Sequence, residues 1–111
     1  MKLPDNVKVG PYDYKVLFPY SFRERTDLSG QHDGELLEIR VCGHDGCGNS
    51  LPNVRVVQIF IHELIHACLS TASCKEQCKD ENMIDALAAM LTQAFIDSAL
   101  GKFISAENIN G

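Results

Sequence analysis

The sequence predicts an α+β domain in which a small β-sheet, three-stranded or slightly larger, packs on a motif-bearing helix and a C-terminal helix. Three observations predict it. Apolar and polar residues alternate with period two only in the N-terminal part, in segments such as Tyr12 to Phe18. From Pro52 to Ser70 the apolar residues recur with a helical period instead. A second helical pattern runs from Asp80 to Leu100. With 111 residues there is room for one modest core, so residues 1–111 are expected to form one domain.

Residues 7–9 and 12–18 read as two strands around Gly10 and Pro11, with Tyr12, Tyr14 and Val16 on one face. From Phe18 to Asp33 the chain is polar and carries Pro19, Ser29-Gly30 and Asp33-Gly34, which predicts loop and turn. Residues 35–41 (ELLEIRV) predict a further strand, with Leu37, Ile39 and Val41 toward the core and Glu38 and Arg40 toward solvent. Cys42 to Asn49 (CGHDGCGN) is too rich in glycine for a regular element.

Pro52 suits the first turn of the motif helix, where a missing N–H does no harm. With His62 set at 0° on a helical wheel, Val54, Val57, Phe60, Ile61, Leu64, Ile65 and Cys68 fall in an arc from about 160° to about 300°. That arc is the predicted buried side, and it makes Cys68 a small core residue. His62 and His66 lie outside it. Thr71 to Lys79 is expected to be a loop. The second helix is capped by Asp80, with Ile84, Leu87, Leu91, Ala94 and Phe95 as its apolar face and Gly101 as its stop. The remaining tail (KFISAENING) is expected to be loosely ordered.

Apolar residues make up 45% and charged residues 23%, as in ordinary globular proteins. No apolar run approaches a membrane span, and MKLPDNVKVG lacks the apolar stretch of a secretory signal. These features predict a cytoplasmic protein with no membrane partner. A net charge of −5 with no cluster of Lys and Arg argues against a nucleic-acid partner.

The chemistry lies in His62-Glu63-Leu64-Ile65-His66, which fits the pattern H-E-x-x-H. Residues four apart on a helix are roughly 40° apart around the axis and one turn apart along it. The two imidazoles can therefore share one metal ion. Glu63 stands one position round, where it can handle the proton of a metal-activated water. A catalytic zinc usually takes a third protein ligand. The pattern with a third histidine is excluded, because Leu69 stands where it needs glycine and Ala72 where it needs histidine. A glutamate from the following helix is the other pattern, and Glu81 fits it, opening that helix after a loop long enough to reverse direction. Asp85, one turn on, could accept a hydrogen bond from the non-ligating nitrogen of His62 and so hold its tautomer. As ordinary side chains, Glu81 and Asp85 would simply be acids favoured at a helix N-terminus.

HELIH with the downstream Glu81-x-x-x-Asp85 resembles the gluzincin branch of the zincin-like metallopeptidases. The layout is similar to their smallest members, the short phage metallopeptidase-type proteins and the ImmA/IrrE group. The resemblance is carried by residues 59–69 and 81–87, and across residues 1–50 by the order of elements alone. It implies a minimal zincin-like fold and zinc-dependent hydrolysis of a protein or peptide substrate, with water as nucleophile. Glu63 would be the general base that passes the proton to the leaving amine. By the same resemblance, residues 35–41 would border the cleft and pair with an extended substrate. His32, His44, Arg40 and the tyrosines are the candidates for stabilising the oxyanion. A catalytically weak binding or regulatory module is the alternative function. The intact Glu63 favours the enzyme, and the short chain favours the module.

Five cysteines cannot all pair within one chain. Cys42 and Cys47 precede the motif helix, and Cys74 and Cys78 follow it. A second, structural zinc ion, a local disulfide within either pair and free thiols are all compatible with these spacings.

Overall fold

In the computed structural model, which describes residues 3–23 and 27–97, the first two strands form where the alternation predicts them. β1 (Asn6–Val9) pairs antiparallel with β2 (Tyr12–Leu17), with Val9 opposite Tyr12. The hairpin closes through Gly10 at φ +58°, a conformation that glycine adopts without steric cost. Along β2, Tyr14 and Val16 are buried, while Tyr12 at the turn is exposed.

β3 (Gly30–Asp33) and β4 (Glu38–Val41) form a second antiparallel hairpin, and β4 pairs in parallel with β2. The sheet is mixed, in the order β1-β2-β4-β3. Two corrections follow. Part of the predicted loop, residues 30–33, is an edge strand, whose polar GQHD sequence carries no period-two signal. Residues 35–37, predicted as strand, are turn. Asp33 Oδ1 accepts the backbone N–H groups of Glu35 and Leu36, each at 3.0 Å, and Leu37 lies at φ +55°. A side-chain acceptor that captures successive amides replaces the strand ladder there.

Arg40 is also corrected: predicted toward solvent, it is 8% exposed. β4 lies inside the sheet, and the face it turns away from the core is covered. The guanidinium donates to Gln31 Oε1 at 2.6 Å, Asp33 Oδ2 at 3.0 Å and Glu38 Oε1 at 2.6 Å. Tyr20 stacks over it at 5.5 Å. The hydrogen bonds to Glu38 and Asp33 hold Arg40 above its usual pKa against the effect of burial, and the Leu36 N–H, followed by Arg40 and the Glu35 N–H, holds Asp33 below its own.

The motif helix α1 (Asn53–Thr71) begins after Pro52, as predicted. It packs on the sheet and on the C-terminal helix, so its buried band is broader than one arc and is turned toward the histidines. Val56, Ile59, Phe60, Ile61 and Ala67 are buried, whereas Val54 and Cys68, predicted in the core, are exposed. They join Tyr14, Val16, Ile39 and Val41 in the core. Burying one such aliphatic or aromatic side chain contributes about 1.5–3 kcal/mol.

The predicted loop after α1 contains one helical turn, α2 (Lys75–Cys78). α3 (Glu81–Asp97) then starts at its predicted cap, where Asp80 Oδ1 accepts the Met83 N–H at 3.1 Å. Its buried stripe is Ile84, Ala88 and Thr92. Leu87, Leu91 and Phe95, predicted in the core, are 39–44% exposed. The predicted continuation to Leu100, the stop at Gly101 and the tail lie outside the described residues. None of the described helices is long and apolar enough to cross a membrane.

Replacing Arg40 with alanine would leave Asp33 and Glu38 facing each other under Tyr20. Urea unfolding should show a loss of about 2–3 kcal/mol, at the low end for a broken buried pair because both acids are partly solvated. An unchanged midpoint would mean that the cluster contributes nothing to stability.

Candidate metal centre

His62 and His66 lie one turn apart in the middle of α1, their ring centroids separated by 5.0 Å. Both are half-buried, between the sheet and α3. Glu81, the first residue of α3, reaches both imidazoles. Its Oε2 is 3.1 Å from His62 Nε2 and its Oε1 is 2.8 Å from His66 Nε2. Asp85, a turn further on, places Oδ1 at 2.8 Å from His62 Nδ1. Cys78 Sγ is 3.4 Å from His66 Nδ1. Three sequence-predicted ligands and their predicted supporting carboxylate are thus brought together. Ligand atoms of His62, His66 and Glu81 all lie within 4.8 Å of one another, and this group could hold a metal ion.

The donor chemistry fits an ion. An ionised carboxylate can only accept, so a proton on His62 Nδ1 would be donated to Asp85 and one on Nε2 to Glu81. With the proton on Nδ1, Nε2 keeps a lone pair, and a metal ion between it and the Glu81 oxygen would take the place of a proton there. Ligand atoms on a tetrahedral zinc at 2.0–2.1 Å lie roughly 3.3 Å apart, close to these contacts. Two imidazoles and one carboxylate are a donor set that zinc accepts.

Glu63 points from the same helix toward β3. The backbone N–H of His32 hydrogen-bonds to its carboxylate. Gly30 makes this approach feasible: a Cβ there would stand 2.7 Å from Ile59 Cγ2 and 3.1 Å from Glu63 Oε2. Burial is the main reason the Glu63 carboxyl is pushed up to about 7, and the negative charges of Glu81 and Asp85 add to it. His62 and the His32 N–H act in the opposite sense.

A cleft of about 460 Å³ opens over these groups, with Gly30, His32, Arg55 and Gln58 in its walls. Among the candidates for oxyanion stabilisation, His32 is the one on the cleft. Its Nε2 hydrogen-bonds the buried Tyr14 hydroxyl at 2.9 Å. Burial, and secondarily the charge of His66, lower its pKa. Arg40 is committed to its acid partners, and His44 to a contact with Cys42 Sγ at 3.4 Å. The strand along the cleft is β3. β4 cannot pair with a substrate as expected for residues 35–41, because β2 and β3 occupy both its edges.

Of the three alternatives open for the cysteines, the structure has free thiols. All five thiols are free, so neither local disulfide forms. Among the described residues, Cys42, Cys47, Cys74 and Cys78 do not gather into a second metal cluster. Cys42, next after β4, contacts His44, and Cys78 contacts His66. Sequence reasoning missed the Cys78 contact with His66 and the role of Gly30. The short helix α2, which places Cys78, carries no periodic signal.

Compared with family models, curated proteins and solved structures, the chain matches none.

A carboxyl raised from 4.5 to about 7 favours its protonated form in the folded state. In metal-free protein its stabilising effect is complete below pH 4.5 and is lost as pH rises through about 7. Glu63→Gln removes the titration. The thermal midpoint of metal-free Glu63→Gln should therefore exceed that of wild type by several degrees at pH 8, and match it near pH 4.5. Equal midpoints at both pH values would contradict a buried, raised carboxyl.

Proposed function

We propose that this protein is a zinc-dependent metallopeptidase of minimal zincin-like fold, acting on an extended segment of a protein or peptide. The observation that carries the reading is the convergence of His62 Nε2, His66 Nε2 and both Glu81 oxygens, with Glu63 beside them in a cleft. His62, His66 and Glu81 would hold the metal. When bound, zinc supplies Lewis acidity, polarising the scissile carbonyl and making a water acidic enough to attack at neutral pH.

The protein's own groups account for the remaining steps. Asp85 fixes the His62 tautomer so that Nε2 is available as a ligand. Glu63 takes the proton of the attacking water and delivers it to the leaving nitrogen. A carboxyl with a pKa near neutrality suits both halves of that transfer. The His32 N–H orients the Glu63 carboxylate, and the open edge of β3 offers backbone groups to an extended chain lying in the cleft. His32 is the side chain best placed to meet the developing oxyanion.

Protein purified without a histidine tag should contain about one zinc per chain by elemental analysis, and His66→Ala should lose it. Glu63→Gln should keep the zinc while its cleavage of an unfolded protein pool, read by mass spectrometry, falls about 100-fold or more. Absence of zinc from fully reduced, zinc-supplemented protein would sink the reading. Zinc without cleavage in the wild type would leave a metal-holding regulatory module.

A further inference from the structure

We propose that Cys78 is a positioning residue of the metal centre, its sulfur holding the His66 ring so that Nε2 aims at the ion. This rests on the reading of His62, His66 and Glu81 as metal ligands. Cys78 closes α2, the single helical turn that bridges α1 and α3. Its Sγ lies 3.4 Å from His66 Nδ1 and 3.7 Å from the His66 backbone oxygen. A carbonyl oxygen can only accept, so a thiol that donates its S–H there has its sulfur lone pairs free to accept the Nδ1–H. One thiol thereby grips the ring and the backbone of the same residue. The ring's rotation is fixed relative to its own helix, and its proton is kept on Nδ1.

The arrangement parallels that of His62. Each imidazole presents Nε2 to Glu81 and gives its Nδ1–H to a residue that follows α1, either Asp85 or Cys78. The two partners differ in charge and setting. Asp85 is exposed, whereas Cys78 is half-buried against α1. At the half-buried position a neutral thiol accepts the N–H without the desolvation cost of a carboxylate. It also adds no further negative charge beside Glu63, Glu81 and Asp85. Partners of this kind hold the tautomer and the ring orientation of a ligand, and losing one typically costs 10–100-fold in metal affinity.

The test is competitive zinc titration of the full chain against a chromophoric chelator under reducing conditions, with the metal-free thermal midpoint of every variant measured alongside. Cys78→Ala removes the sulfur, Cys78→Val keeps bulk without an acceptor, and Cys78→Ser keeps a neutral acceptor. Alanine and valine should each weaken zinc binding about 10–100-fold, and serine should bind within about threefold of wild type. A role in packing alone would show the reverse order, valine retaining affinity and serine losing it. Equal affinity in wild type, alanine and valine, with zinc still lost in His66→Ala, would overturn the role of Cys78 and leave the metal centre standing. A wild type that binds no zinc would overturn both.

Discussion

The return of α3 onto the middle of α1 is the constraint on which the candidate centre depends. α1 alone supplies two imidazoles and one carboxylate at fixed helical spacing, and these cannot complete a ligand set. α2 and the turns around it carry the chain back so that the first residue of α3 meets both Nε2 atoms at once. Asp80 caps α3 at the residue before Glu81, so the helix begins where its carboxylate is needed. The outcome is two imidazoles and a carboxylate whose ligand atoms lie within 4.8 Å of one another, a group that could hold a metal ion.

Much of this centre is legible in the sequence because its parts are fixed by helical spacing. His62 and His66 share a face by being four apart, and so do Glu81 and Asp85. A short connection can do little with two long helices except lay them side by side. The fold class is legible for the same reason, since period two and helical period occupy separate parts of the chain. What fails is whatever depends on a third element. Arg40 reads as solvent-facing until β3 and Tyr20 cover it. Leu87 and Leu91 read as core beside Ile84, but α3 turns Ile84, Ala88 and Thr92 inward and leaves both leucines exposed. β3 itself is four polar residues, and its strand character comes from pairing with β4 rather than from its own pattern.

β3 links the fold to the chemistry. Because β4 is paired on both sides, β3 takes the edge, and the face of that strand at Gly30 packs on the motif helix at Ile59 and Glu63. Gly30 sets how closely the two can approach, since any side chain there would meet Ile59 and displace the Glu63 carboxylate. Two residues on, the backbone N–H of His32 holds that carboxylate, and the His32 ring leans on Tyr14 from β2. The placement of the Glu63 carboxylate is thus set by the sheet register. A one-residue slip of β3 against β4 would exchange Gly30 and His32 for their neighbours and turn side chains to the opposite face.

The energetics of fold and centre are separable. Glu81 and Asp85 are mostly solvent-exposed, so their contacts with the histidines add little to folding stability in water. The association of α3 with α1 is held instead by the buried stripe of Ile84, Ala88 and Thr92, where the Thr92 hydroxyl donates to the Ala88 carbonyl and leaves no polar atom unpaired. The imidazoles are bound on the dry side, and the carboxylates stand on the wet side. An ion or a water can therefore reach the cluster from the cleft without the core opening. Burial raises the Glu63 carboxyl, which lies between helix and sheet, and a cation at His62, His66 and Glu81 would relieve that penalty by favouring its ionised form. Metal binding and the ionisation of Glu63 would then be coupled through one charge.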